Sequence, residues 1–238
     1  MPAEIVATED AQVAHAGPIC KGTWAQVQGG AGDTYDFTRI GTTMFADIQC
    51  CGTADQYQSI TRIILAFPTT SVAAGTLPGP NPYVKVTLSG NPTTTLSTGG
   101  LSLAGATPAN PALMVYTDYA QVGDVAYSGV LGDLATLAQY DEIRFVLNNE
   151  GIAALQTAID AQTPFCVSLR LQADRLNAEP TWASGAKGQI DIYSADHATT
   201  RYRPVLSITG GVEVSVTGQL ANSADAVAVE MWLLEVFT

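Results

Sequence analysis

Lysine occurs three times in this 238-residue chain, at Lys21, Lys85 and Lys187, and histidine twice, at His15 and His197. Charged residues make up only 13% of the sequence and leave a net charge of −12. Nucleic acids and anionic membranes are held by clustered Lys and Arg that displace counterions. A chain with the opposite balance is expected to take neither as a partner. No run approaches the roughly 18 apolar residues of a membrane-spanning helix. The opening residues, "MPAEIVATEDAQVAHAG", lack the basic and apolar regions of a signal peptide. That predicts synthesis and retention in a cytoplasm, or export by a route other than classical secretion.

The motifs of common chemistries are missing too. With two histidines so far apart there is no H-x-H or H-x-x-x-H pair, and the cysteines offer no C-x-x-C, so a zinc site has no ligand set. No G-x-S-x-G elbow presents a nucleophile. Asp141 and Glu142 open a strand and point to opposite faces, which makes them a poor glycosidase dyad. No cofactor is expected, and the chain is not expected to be an enzyme. Loop oxygens in "GAGDTYD" (30–36), "DYAQVGD" (118–124) and "NNEG" (148–151) allow a structural calcium. None has the D-x-D-x-D-G order that would place it. Cys20, Cys50, Cys51 and Cys166 are expected as buried small apolar residues, with a disulfide or a reactive thiol as the alternative.

What the chain does have is apolar alternation and turn chemistry. Hydrophobic residues reach 47%, enough for a real core. Strand-like runs cover 19–28, 61–67, 83–88, 142–147, 164–172, 189–194, 204–209, 212–218 and 227–237. One helix is predicted over about 148–161. Asn148 or Asn149 caps it, Glu150 suits its positive end, and Ile152, Leu155, Ala158 and Ile159 share a face. Two long loops, 67–82 and 89–111, hold most of the prolines. The pattern predicts an all-β protein, an antiparallel β-sandwich with one short inserted α-helix.

The densest polar cluster is "IDIYSADHATTRYRPVLSIT", residues 190–209. Asp196 and His197 sit together there, but without a second histidine or a nucleophile the stretch reads as a turn between two strands. Pro204 would open the second strand, where its missing N–H does no harm. Trp24, Trp182, Tyr193 and Tyr202 lie in or beside polar loops. Sugar rings stack on such faces, so these four are the candidate glycan contacts; anchoring loops to the sandwich is the alternative.

From residue 57 to residue 209 the order of pieces resembles a known group. "YQSITRIILAFPTTSV", "YTDYAQVGDVAYSGVL" and "FVLNNEGIAAL" follow its pattern. The ending, from "FCVSLRLQADRLNAEPTW" to "IYSADHATTRYRPVLSI", matches it most closely. The group is that of the DNRLRE-like jelly-roll domains, relatives of carbohydrate-binding modules found in bacterial surface proteins and tailed-phage virion proteins. Pro68 stands where that group commonly has an Asp, and the 89–111 loop has no equivalent in it. The resemblance implies a jelly-roll sandwich over 19–209, flanked by an N-terminal docking segment, 1–18, and a C-terminal extension, 210–238.

That extension reads as two strands. Val229 and Met231 face one side of the second, with Trp232, Leu234 and Val236 on the other. Apolar residues on both faces imply burial on both, either completing the sandwich or forming an assembly interface. The chain is therefore expected to be a non-catalytic structural component of a bacteriophage particle: a capsid decoration, head-fibre or tail-associated protein. Its partners would be other virion proteins and itself as a homo-oligomer, with a surface glycan as a further contact. The alternative is a carbohydrate-binding module of a bacterial surface or secreted protein, located at the cell surface or outside the cell.

Overall fold

The structure is a computed structural model that describes residues 4–17, 19–38 and 41–208. Among these residues there are thirteen strands. The first five are β1 (Glu4–Val6), β2 (Glu9–Ala16), β3 (Asp33–Thr38), β4 (Thr43–Cys50) and β5 (Tyr57–Phe67). Next come β6 (Tyr83–Thr87), β7 (Thr93–Thr94), β8 (Leu101–Ala106) and β9 (Val122–Ala126). The last four are β10 (Glu142–Val146), β11 (Phe165–Leu171), β12 (Lys187–Tyr193) and β13 (Val205–Ser207). Three helices interrupt them: α1 (Trp24–Gln28), α2 (Asn149–Ala161) and α3 (Gln172–Arg175).

All the strand pairs are antiparallel, and the fold is the expected all-β sandwich with its inserted helix. A four-stranded sheet runs β1-β13-β6-β10, and the other nine strands form a larger one. Alternation explains the smaller sheet. Ile143 and Phe145 of β10 are buried while Glu142, Arg144 and Val146 between them are exposed. Ile5, Val84, Val86 and Leu206 point inward with them and join the larger sheet's apolar residues in one continuous core. Each such side chain contributes about 1.5–3 kcal/mol on burial.

β5 is the axis of the larger sheet. β2 lies along its residues 59–66, β4 along 57–61 and β11 along 63–67. A strand has two edges, so β4 and β11 divide the second one, and β5 is buried almost throughout. α2 matches its prediction. Asn148 Oδ1 accepts the Gly151 N–H at 2.9 Å, and Leu155, Ala158 and Ile159 are buried.

Several expectations are corrected. Of the expected docking segment 1–18, residues 4–6 and 9–16 belong to the sandwich: β1 pairs with β13 and β2 runs beside β5 over eight residues. The polar residues of β2 are tolerated inside because they are satisfied. Gln12 Oε1 accepts the Phe45 N–H at 2.9 Å, and Asp10 Oδ2 accepts that of Ala195 at 2.5 Å. The strand expected over 19–28 is instead the short helix α1. Gly22, at φ +143°, breaks the chain, and Gln26 Oε1 accepts the Thr23 N–H in a capping-box contact. Trp24 and Val27, three apart, then share the buried face. The loop expected over 89–111 contains β8, wholly buried between β11 and β9. Cys20 and Cys51 form a disulfide, while Cys50 is buried and free and Cys166 is half-buried and free. Adjacent positions on an extended chain face opposite ways, so Cys50 enters the core while Cys51 turns out to Cys20. The extension 210–238, with Val229, Met231, Trp232, Leu234 and Val236, lies outside the described residues.

Candidate functional site

Register brings three distant pieces of chain together at the end of the four-stranded sheet. Thr87 of β6 lies directly opposite Glu142 of β10, on the face of the sheet away from the core. The turn ahead of β10 is fastened to the turn after β6. Tyr140 N–H donates to the Leu88 carbonyl at 2.9 Å, Gln139 Nε2 to that of Ser89 at 2.9 Å, and Gln139 N–H to Asn91 Oδ1 at 2.9 Å. Tyr140 is held at φ +73°, a left-handed conformation that is costly for a bulky residue and concentrates at functional positions. Its ring is 54% exposed.

The third piece is the 194–204 turn. Ser194 Oγ donates to the Gly41 carbonyl, His197 Nδ1 accepts the Thr199 N–H at 3.1 Å, and Arg203 Nε donates to the His197 carbonyl at 2.7 Å. The polar stretch is thus a turn, as its sequence predicts, and His197 and Arg203 tie it together. Pro204 ends it immediately before β13. The turn folds Tyr202 back onto Tyr193, with ring centroids 4.8 Å apart. Tyr140 closes the group, 5.7 Å from Tyr202 and 6.2 Å from Tyr193, and His197 packs against Tyr193 at 4.4 Å.

Between these pieces is an open hollow of about 580 Å³, lined by Thr87, Tyr140, Glu142, Arg201 and Tyr202. That size falls within the range of small-molecule sites, about 300–1,000 Å³. Arg201 lies over the Tyr202 ring at 4.6 Å and donates to the Tyr202 hydroxyl. Glu142 Oε1 meets Lys85 Nζ at 3.3 Å. Thr87 is 1% exposed, and its hydroxyl has no hydrogen-bond partner among the described residues. A buried hydroxyl left unpaired costs about 1–3 kcal/mol.

Of the four candidate glycan contacts, Tyr193 and Tyr202 meet here and the two tryptophans do not. Trp24 is 5% exposed, packs edge-on against Tyr57, and donates to Asn177 Oδ1 at 2.9 Å. Trp182 is half-buried and donates to the Gln56 carbonyl at 3.0 Å. Both anchor loops, and the buried Trp24 indole has no face to offer a sugar. The sequence reading did not single out Thr87 or Tyr140; Glu142 was weighed only as a dyad partner of Asp141, and Arg201 lay within the polar 190–209 stretch.

A second polar constellation is wholly internal. Asp174 receives Arg62 Nη2 at 2.6 Å and Nε at 2.9 Å, and Arg170 Nε at 2.7 Å and Nη2 at 3.0 Å. Burial pushes its carboxyl up, but the Arg62 charge and the Arg170 hydrogen bonds outweigh this and hold it at about 2. Arg62 Nη1 also donates to the Tyr119 carbonyl, and Arg170 Nη1 to Asp124. With its donors spent on protein acceptors, this group is a clamp between β5, β11 and α3.

Among the described residues no group of three His, Cys, Asp or Glu is placed to hold a metal ion. No helix of the described chain is long and apolar enough to cross a membrane. No protein-family model matches the sequence, and no curated protein matches it either.

Proposed function

We infer that this chain is a non-catalytic structural component of a tailed-phage particle that touches surface glycan through the tyrosine-lined hollow. One observation carries the glycan contact: the Tyr140 and Tyr202 rings wall an open hollow of about 580 Å³. Aromatic faces stack on the C–H faces of sugar rings, and a few placed polar groups supply orientation. The virion setting rests on the jelly-roll resemblance of residues 57–209. A glycan array probed with the full chain and with Tyr140→Ala tests the contact, and mass spectrometry of purified particles tests the setting. Signal lost in the variant, with peptides of this chain in the particle, is the expected result. Signal that survives in Tyr140→Ala and vanishes in Trp182→Ala contradicts the assignment of the hollow.

The Cys20–Cys51 disulfide favours a second reading, a carbohydrate-binding module of a bacterial surface or secreted protein, because disulfides persist in oxidising compartments. The same hollow would serve it.

A further inference from the structure

We propose that Lys187 and Asp47 become joined by an isopeptide bond, a covalent tie between β12 and β4 that forms with loss of one water molecule. In the antiparallel pairing of these strands Asp47 stands opposite Gln189, Lys187 opposite Gln49 and Asp191 opposite Phe45. Alternate residues of a strand share a face. Lys187 and Asp191 are therefore the two diagonal neighbours of Asp47 across the ladder. Long side chains bridge such diagonals, and Lys187 Nζ comes to 3.1 Å from Asp47 Oδ2. The same ammonium lies over the Phe45 ring at 5.4 Å, which carries it toward the row that holds Asp191.

The surroundings of the carboxylate set this lysine apart from the other two. Lys21 meets Asp33 and Lys85 meets Glu142 at similar distances, but those carboxylates are 27% and 47% exposed. Asp47 is 2% exposed. Desolvation erodes the gain from a buried ion pair, whereas an amide carries no charge to desolvate. Ser59 Oγ donates to both Asp47 oxygens at 3.2 Å and holds the carboxyl group in place. Two groups fixed in contact react as if at effective concentrations of about 10⁵–10⁸ M, a drive toward condensation that free amines and acids in water lack.

Asp191 is placed to relay the proton. Gln189 Nε2 donates to its Oδ1 at 2.7 Å. Burial pushes the Asp191 carboxyl up; the Gln189 hydrogen bond and the Lys187 charge pull it back, and the Asp47 charge adds to the rise. The Lys187 ammonium passes one proton to Asp191, and the lone pair this frees on Nζ attacks Asp47 Cγ. Asp191 returns the proton to one Asp47 oxygen. Nζ gives up a second proton to that oxygen, the Cγ–O bond breaks, and water leaves. An ammonium and a carboxylate thus become a neutral amide and water, with no oxidant and no other reactant.

The test is the intact mass of the full chain, reduced and denatured, followed by sequencing of its tryptic peptides. The expected result is a chain one water lighter than its sequence, with a branched peptide joining Lys187 to Asp47 and none at Lys21 or Lys85. Lys187→Arg keeps a cation beside Asp47 and should restore the full mass. Asp191→Asn should slow the link at least about tenfold in freshly made protein, and Asp191→Glu should recover it. Thermal melts establish that each variant is folded. A wild-type chain of full mass with Lys187 open to trypsin overturns the proposal, as does a lost water confined to a single linear peptide. A link that forms at the same rate in Asp191→Asn overturns the relay assigned to Asp191.

Discussion

Tyr202 lies nearly flat against Tyr193, with their ring planes 18° apart. Tyr193 is the last residue of β12 and is buried, so it is a fixed base. Tyr202 comes nine positions later, and the stack converts a mobile-looking polar turn into a rigid support for Arg201. Such ring pairs contribute about 0.5–1.5 kcal/mol beyond their burial. For the proposed saccharide contact, such a preformed wall would spend less ordering entropy when a ligand arrives.

The Arg62–Asp174–Arg170 clamp makes the first stability prediction. Asp174→Asn leaves two buried guanidinium groups without their counter-charge and should cost about 3–5 kcal/mol, read as a lower urea midpoint. The native carboxyl titrates at about 2, below its unfolded value. Its contribution is therefore complete above pH ~4 and lost as pH falls toward 2. The gap between wild type and variant should narrow over that window. A gap that stays constant down to pH 2 contradicts the clamp.

Asp10 behaves in the opposite sense. Burial raises its carboxyl to about 7 despite the Ala195 hydrogen bond, and Asp196 and Glu9 add repulsion. Between pH ~4 and ~7 the native state keeps a proton that the unfolded chain has released, so stability should fall as pH rises through that range. The largest effect is roughly 4 kcal/mol. Asp10→Asn preserves an acceptor for the Ala195 N–H and removes the titration. Its melting temperature relative to wild type should climb between pH 4.5 and 7.5, and parallel profiles would count against a protonated Asp10.

The disulfide joins residues 31 apart in sequence. Loop-closure arithmetic gives roughly 3–4 kcal/mol for such a link. Cys20→Ser should lower the unfolding free energy by about that amount, and added reductant should then have no further effect. An unchanged midpoint would mean that the two thiols are not joined in solution.

Six of the thirteen described strands, β5, β6 and β10 to β13, were legible in the sequence, β10 and β12 by strict alternation; β1 to β4 and β7 to β9 were not read from it. β2 and β8 escaped notice for physical reasons. β2 buries Asp10 and Gln12 by giving their side chains backbone donors from elsewhere, which breaks the alternation. β8 is buried on both faces and built of Leu, Ser, Ala and Gly, so no polar face reveals it. The hollow was legible only in part. Tyr193 and Tyr202 stood out as aromatics in a polar stretch, but Thr87 and Glu142 meet them through strand register.

We propose that the tyrosine-lined hollow is where this protein meets its ligand. The most direct measurement is a titration of the full chain with the best glycan from the array, followed by backbone NMR and repeated with Tyr140→Ala. Because the Tyr140 ring is mostly exposed, that variant should stay folded. The expected result is a Kd below about 1 mM that weakens at least about tenfold in the variant, with shifts centred on Thr87, Tyr140 and Arg201. Undiminished binding in Tyr140→Ala, or shifts centred on Trp182 instead, would contradict it.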